Sequence, residues 1–353
     1  MGIFHSVLFY LGTFIVIASF IPLVKNDFWI FRVFEYPRLQ KLVLNAVVLI
    51  SYAIFFLEHD YIDYGLLLAL SVNMIYLFTL IYPFTIFAKK QIVDSKHPSG
   101  DRNIKLLIAN VFQDNRQSAA YHKLISSCNA DLVLMVETNQ WWEDQMDSLT
   151  NNYPFQIKVP LENTYGMLLY SKFELIDGSV KYLVEDDIPS IETTVKLICG
   201  EFVKLYCLHP RPPVPQENPQ STERDKEILL VAKKAKESAI PALVIGDLND
   251  VAWSYTTELF SKISELLDPR KGRGFFNSFN AKYFFLRFPL DHVFCSGDFS
   301  LTSIKRMKSC GSDHFPMCIN LQLDPKVIHE NEILIADAED VEIFKEKVNK
   351  PTS

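Results

Sequence analysis

Several side chains able to bind a cation or move a proton stand at the ends of apolar runs. Asn110 closes the run from Ile104, Glu137 follows Leu-Val-Leu-Met-Val, and His209 follows Lys-Leu-Tyr-Cys-Leu. Asp247 and Asn249 follow Leu-Val-Ile-Gly, Asp291 and His292 open a Val-Phe-Cys run, and Asp313 and His314 precede a last apolar segment. Short apolar runs of about four to eight residues read as buried strands, so groups at their ends collect on one rim of a sheet. A rim of carboxylates, amides and imidazoles suits a hard divalent cation together with a phosphate ester. Each motif alone has a plainer reading. Glu137 reads equally as a solvated rim residue, Gly246–Asn249 as a turn, Ser312-Asp313-His314 as a helix cap with a surface histidine, and His209 as part of a loop stiffened by HPRPPVP. Their recurrence after successive hydrophobic strands argues for a common site.

The elements that must position these groups are short strands alternating with helices. Strands are expected at Ile104–Val111, Leu132–Val136, Met167–Tyr170, Ile191–Ile198, Phe202–Leu208, Ala242–Ile245, Leu290–Cys295 and Met317–Leu321, and helices at Asn115–Cys128, Trp141–Leu149 and Thr222–Ser238. Strands outnumber helices and many connections are too short for parallel crossovers. The expectation is two packed mixed or antiparallel sheets with helices outside. This domain runs over 104–323, followed by a tail over 324–353 with 8 acidic and 4 basic residues, expected as a peripheral helix or a partly disordered extension.

The chain is 353 residues long, 49% hydrophobic and 13% aromatic, with a formal net charge of −7. Twenty-seven Phe rule out disorder, and the acidic balance disfavours a general nucleic-acid binder. The excess apolar character sits in front. Ser6–Val24, Leu42–Leu57 and Tyr64–Ala88 are uncharged runs of 19, 16 and 25 residues. A spanning helix needs about 20 apolar residues, so residues 1–90 are expected to form an anchor of three transmembrane helices, the middle one completed by a snorkelling Lys41. Lys25, Arg32, Arg38 and Lys41 lie in the first connection, none in the second, and Lys89, Lys90 and Lys96 follow the third run. That asymmetry predicts a multi-pass protein whose C-terminal domain is cytoplasmic. Residues 91–103 read as a flexible linker. The six cysteines all lie in the C-terminal domain without zinc or framework spacing and read as buried thiols, with pairing of Cys199 and Cys207 as the alternative.

Taken in order, Asn110, Glu137, His209, the GDLN run, Leu290-Asp291-His292 and Gly311-Ser312-Asp313-His314 resemble the endonuclease/exonuclease/phosphatase superfamily, which includes AP endonucleases, DNase I-like nucleases and sphingomyelinases. The stretches GDLNDVAWS and LDHVFCS resemble bacterial members with N-terminal membrane helices. The resemblance implies a four-layer α/β sandwich behind the all-α membrane region, and a Mg²⁺-dependent hydrolase, with Mn²⁺ as a substitute. It implies Glu137, Asn110 and Asp313 as metal ligands. His314 is implied as general base or phosphate contact, held by Asp291, with Asp247 and Asn249 orienting the nucleophile and His209 donating to the phosphoryl group. Arg211 and His292 are candidate substrate contacts, and Arg270, Lys271, Arg273 and Arg287 could hold a phosphorylated headgroup. Phe112 departs from the pattern, standing where AP endonucleases carry an Asp. The expected partners are the bilayer and a phosphorylated lipid or small phosphate ester. A membrane-tethered nuclease is the alternative, and a silent scaffold the third reading.

Overall fold

The computed structural model describes residues 2–55, 60–97 and 99–352. Three helices, α1 (Ile3–Phe20), α3 (Arg38–Phe55) and α4 (Tyr61–Ile81), form an up–down–up bundle, with the short α2 (Trp29–Arg32) between the first two. With their terminal turns the three are long and apolar enough to cross a membrane. Their outer faces expose Phe14, Val47, Ile50, Leu68 and Ile75, as lipid-facing surfaces do, while Leu70, Leu77 and Tyr52 are buried between them. Gly12 lets α1 approach Val48 and Leu70, and Asn73 donates to Asn45, which donates to the Leu70 carbonyl. Lys41 does not snorkel: it is buried, donating to the carbonyls of Ala18 and Phe34.

In the C-terminal domain the strands are β1 (Asn103–Asn110), β2 (Leu132–Val136), β3 (Phe155–Val159), β4 (Met167–Ser171), β5 (Glu174–Lys181), β6 (Ser190–Lys196), β7 (Phe202–Leu208), β8 (Ala242–Asp247), β9 (Asp291–Cys295), β10 (Phe299–Arg306) and β11 (Met317–Leu323). They form two mixed sheets, ordered β10-β11-β1-β2-β4-β3 and β5-β6-β7-β8-β9. Side chains alternate across a strand, so each sheet has two apolar faces. Ile104, Leu106, Ile108, Leu132 and Leu134 of one sheet meet Val203, Leu205, Leu243 and Ile245 of the other. The opposite faces are covered by helices. Leu107, Ala109, Val133 and Met135 pack under α5 (Ser118–Cys128) and α6 (Gln140–Met146). Tyr206, Val244 and Phe294 pack under α7 (Thr222–Lys236) and α8 (Tyr255–Ser264), with Ile343 and Phe344 of α9 (Ala338–Asn349) alongside. This is the expected four-layer sandwich. The cysteines are free thiols among the described residues.

The two regions are built into one another. Residues 91–97, read from sequence as flexible, are packed: Ile92 is fully buried in the inter-sheet core, and on either side of Asp94 Ser95 N donates to Leu301 O while Leu301 N donates to Val93 O, each at 2.9 Å. The first inter-helix loop pairs with the C-terminal domain, Trp29 N donating to Pro219 O and Ser221 N to Asp27 O. Below this seam lies a buried charge network. Arg32 reaches Asp225 at 2.6 Å, Asp225 also receives Arg224 at 2.8 Å and Lys347 at 2.7 Å, and Lys347 bridges to Asp27 at 2.9 Å. The tail is thereby tied down as a peripheral helix.

Burial alone would raise the pKa of Asp27 and Asp225, but Lys347, joined at Asp225 by Arg32 and Arg224, brings both below the ordinary 3.8. A depressed carboxylate contributes stability above its unfolded pKa and loses it as pH falls through the folded one. Thermal unfolding of the full chain in detergent should therefore weaken progressively below about pH 4. Asp225→Asn should remove about 3–5 kcal/mol, because it strands buried cations, and should flatten that acid limb.

Candidate active site

The predicted residues converge because strand direction and strand end agree. β1 and β2 run parallel, as do β7 and β8, so their carboxyl ends deliver Asn110, Glu137, His209 and Asp247 to one rim. β9 and β11 run antiparallel to β8 and β1, so their amino ends deliver Asp291, directly opposite Asp247, and the segment carrying His314. Gly246 has φ +142°, and a Cβ there would lie 1.9 Å from the Leu208 carbonyl, so only glycine lets β8 close on β7 at this point. Glu137 and Asn249 both hold left-handed backbone, φ 57° and 50°. That conformation is uncommon for side-chain-bearing residues and clusters at functional sites.

Asn110 is the hub. Its Nδ2 donates to Glu137 Oε1 at 2.6 Å and to Asp247 Oδ2 at 3.0 Å. His314 Nδ1 lies 2.8 Å from Asp291 Oδ2, and its Nε2 lies 3.6 Å from Asp247 Oδ2. Asp247 Oδ1 accepts from Asn249 N at 2.9 Å, and Asn249 Nδ2 donates to Pro210 O at 2.9 Å, tying the GDLN loop to the His209 loop. The His209 ring lies tilted against that of Tyr165, with ring centroids 5.4 Å apart.

The two histidines are driven apart. Burial pulls His209 down to about 4, leaving it neutral at physiological pH. Burial also opposes charge on His314, but Asp291 and Asp247 outweigh it and push that imidazole up to about 10. Burial raises Glu137 to about 7, with Asp247 and Asp313 adding to the rise. Asp247 is raised mainly by the same desolvation.

This donor set fits a divalent cation. Buried carboxylates with raised pKa values crowd one point, and Asp291 Oδ1 is buried with no hydrogen-bond partner. Ligand atoms of Asp247, Asp291 and His314 lie within 4.8 Å of one another. Of these, His314 Nδ1 is already spent on Asp291. The carboxylates sharing the Asn110 amide, Glu137 and Asp247, are better placed to face a common ion.

Two expected substrate contacts fare differently. His292 points away from the rim, because it neighbours Asp291 on a strand and so takes the opposite face. It is buried on Phe294, and both ring nitrogens are engaged, by Arg270 at 2.7 Å and the Asp250 carbonyl at 2.8 Å. Arg211 is held by Glu185 at 3.2 Å and Asp187 at 3.1 Å, over the Tyr165 ring. Arg270 is likewise buried and committed to Asp268, so it cannot hold a headgroup.

Sequence reasoning missed the wall contributed by the membrane loop. Tyr36 Oη donates to the Asn249 carbonyl at 2.7 Å, beside Arg224 Nη1 at 2.8 Å. Trp253 Nε1 donates to Glu35 O at 2.9 Å, and Arg38 donates to the Trp253 carbonyl. The GDLND loop is thus gripped from the side of the N-terminal helices. No local pattern signalled it: residues 25–41 carry two Arg, one Glu and one Tyr, an ordinary content for a connecting loop.

This fold and site define a class, and the chain belongs to it: the Endonuclease/Exonuclease/phosphatase family, whose profile matches residues 107–314. Members of that family hydrolyse phosphoester bonds and are generally dependent on divalent metals. Among solved structures, D. rerio TDP2 complexed with a single-strand DNA product is 14% identical, covering 63% of this chain and 100% of that one, with a TM-score of 0.53. A family protein from Bacteroides thetaiotaomicron is 18% identical over 63% and 98%, at 0.51, and one from Beutenbergia cavernae 14% identical over 63% and 72%, also at 0.51. These likenesses show the fold. No curated protein matches the chain.

Tyr36→Phe deletes one hydrogen bond to the loop that carries Asp247 and Asn249. It should lower kcat several-fold, for about 1 kcal/mol of lost positioning, with KM and the circular dichroism spectrum unchanged. A fall in thermal stability with kcat intact would make Tyr36 merely structural.

Proposed function

We propose that this chain is a membrane-anchored, divalent-metal-dependent phosphoesterase acting on a phosphate ester carried by a lipid or a small molecule. The observation that carries the reading is the convergence of Asn110, Glu137, Asp247, Asp291 and His314 on one rim, with Asn110 bonded to Glu137 and Asp247, His314 bonded to Asp291, and His314 Nε2 3.6 Å from Asp247. Glu137 and Asn110, with Asp247 and Asp313 near, would hold the cation, Mg²⁺ or Mn²⁺. When bound, it would neutralise charge on the phosphoryl oxygens.

The chain's own residues supply the remainder. His314, kept protonated between Asp291 and Asp247, is a buried imidazolium suited to contact a phosphoryl oxygen. Neutral His209 offers a hydrogen bond without adding charge. Asp247 orients the attacking water, and Asn249, whose Nδ2 also holds the Pro210 carbonyl, would offer its second N–H to the substrate. Environments that push paired groups apart in this way divide acid and base roles.

Three apolar helices joined directly to the domain, and a net charge of −7, favour a substrate at the bilayer over duplex DNA. DNA binding draws on several Lys/Arg–phosphate contacts. The nuclease reading keeps the same chemistry and draws on the D. rerio TDP2 likeness. The Lys/Arg asymmetry of the connections supports a multi-pass arrangement with the catalytic domain on the cytoplasmic side.

Full-length protein should lose turnover on chelation and regain it with Mg²⁺ or Mn²⁺. It should prefer a phospholipid, polyprenyl diphosphate or inositol phosphate over single-stranded DNA. Glu137→Gln should reduce the rate by roughly 10²-fold or more while leaving the unfolding temperature near wild type. Retention of over half the rate at saturating Mg²⁺ would refute the metal assignment, and a preference for DNA would favour the nuclease.

A further inference from the structure

The loop between Phe279 and Phe288 exposes a continuous apolar tip: Tyr283 at 54%, Phe284 at 79%, Phe285 at 55% and Leu286 at 42%. Single exposed apolar residues are ordinary, but four in a row need an occupant. The two ends of this loop are anchored in very different places.

Its base is stitched to the active site. Phe279 N donates to Phe288 O at 2.9 Å, Ala281 N donates to the Asp313 carbonyl at 2.6 Å, and the Phe279 ring lies 5.0 Å from that of His314. Lys282 sits over the Phe112 ring at 4.7 Å, and Phe112 N donates to Asn110 Oδ1. The base therefore forms one side of the mouth through which a substrate reaches the rim.

Its tip is stitched to the membrane bundle. Gln40, in the first turn of α3, donates to the carbonyls of Phe285 at 3.0 Å and Arg287 at 3.4 Å. The second candidate span begins at Arg38. A glutamine side chain is short, so Phe284 and Phe285 lie at the level where the span starts. Exposed apolar residues occur at the same end of the bundle, with Leu23 and Val24 closing the first span and Ile86 and Phe87 following the third. Aromatic residues beside Lys282 and Arg287 have the composition of a membrane interface belt.

We propose that Tyr283–Leu286 is embedded in the headgroup region of the bilayer crossed by α1, α3 and α4, and that the loop leads a lipid-borne phosphate ester from that interface to His314. The presentation step rests on the phosphoesterase reading; the embedding does not. Lys282, at the mouth, is the cation such a phosphate would meet first.

The test uses the full chain reconstituted in phosphatidylcholine vesicles. Phe284→Trp adds an emitter whose signal is isolated by subtracting the wild-type spectrum. It should emit to the blue and be quenched by bromine carried near the glycerol end of the acyl chain. Quenching by aqueous iodide with no effect of bromolipid would overturn the embedding, as would a shift produced only by single-stranded oligonucleotide or only by raising protein density. With phosphatidic acid in the vesicles and p-nitrophenyl phosphate in solution, Phe284→Ser/Phe285→Ser should lower the ratio of lipid to soluble turnover roughly tenfold. An unchanged ratio would overturn the presentation step. A wild-type protein inactive on every ester, with the new tryptophan still quenched by bromolipid, would sink the phosphoesterase reading and presentation together while the embedding stands.

Discussion

Arg32 is where the two halves of this chain become one. It lies in the loop between α1 and α3, yet its guanidinium is buried against Asp225, Ser221 and Thr256 of the C-terminal domain. A buried charge is tolerable only when paired and hydrogen-bonded. Asp225 in turn shares its carboxylate with Arg224 and Lys347, and Arg224 extends the chain of contacts to the Asn249 carbonyl and to Asp250 at 3.4 Å. Remove Arg32 and Asp225 loses the cation that reaches it from the loop between α1 and α3, leaving Asp27 as that loop's remaining tie to the network. The membrane loop, the GDLND loop and the C-terminal helix are consequently held as a single body.

That coupling gives the N-terminal helical region a second role. The wall that presents Asp247 and Asn249 is backed by Tyr36, Glu35 and Arg38 from the membrane region. A cavity of about 490 Å³ remains at the same junction, between Phe84, Lys89, Trp253 and Lys271. The rim chemistry itself follows from crowding. Three carboxylates in low dielectric cannot all ionise without compensation, and the structure supplies it through the Asn110 amide and the His314 cation. Such a site is poised for a divalent ion and a phosphate, each bringing the charge that the other needs.

Much of this was legible in the sequence, and the reasons differ by element. Buried strands such as β2 and β8 are unbroken apolar runs, and their polar terminal residues stand out against them. The edge strands β3, β5 and β10 were missed because they are polar and partly exposed over much of their length, with no clean alternation. His292 was misassigned through parity: adjacent residues on a strand cannot share a face, and Asp291 had already taken the rim. The basic residues near 270 look like a phosphate patch in sequence, but Arg270 is consumed by Asp268 and His292. The docking of residues 25–41 was invisible because it depends on contacts roughly two hundred residues away, between Arg32 and Asp225 or Tyr36 and Asn249. Nothing local in the chain encodes a partner at that distance.

The central claim is that the membrane loop holds the catalytic wall, and amide hydrogen exchange reads it directly. In full-length Arg32→Met, the amides of Leu248, Asn249, Val251 and Ser254 should exchange at least about tenfold faster than in wild type, a loss of about 1.4 kcal/mol in local opening. Amides of β1 and β2 should keep their protection. Unchanged exchange across 248–254 in that variant would mean the GDLND loop stands without the membrane loop, and would contradict the account.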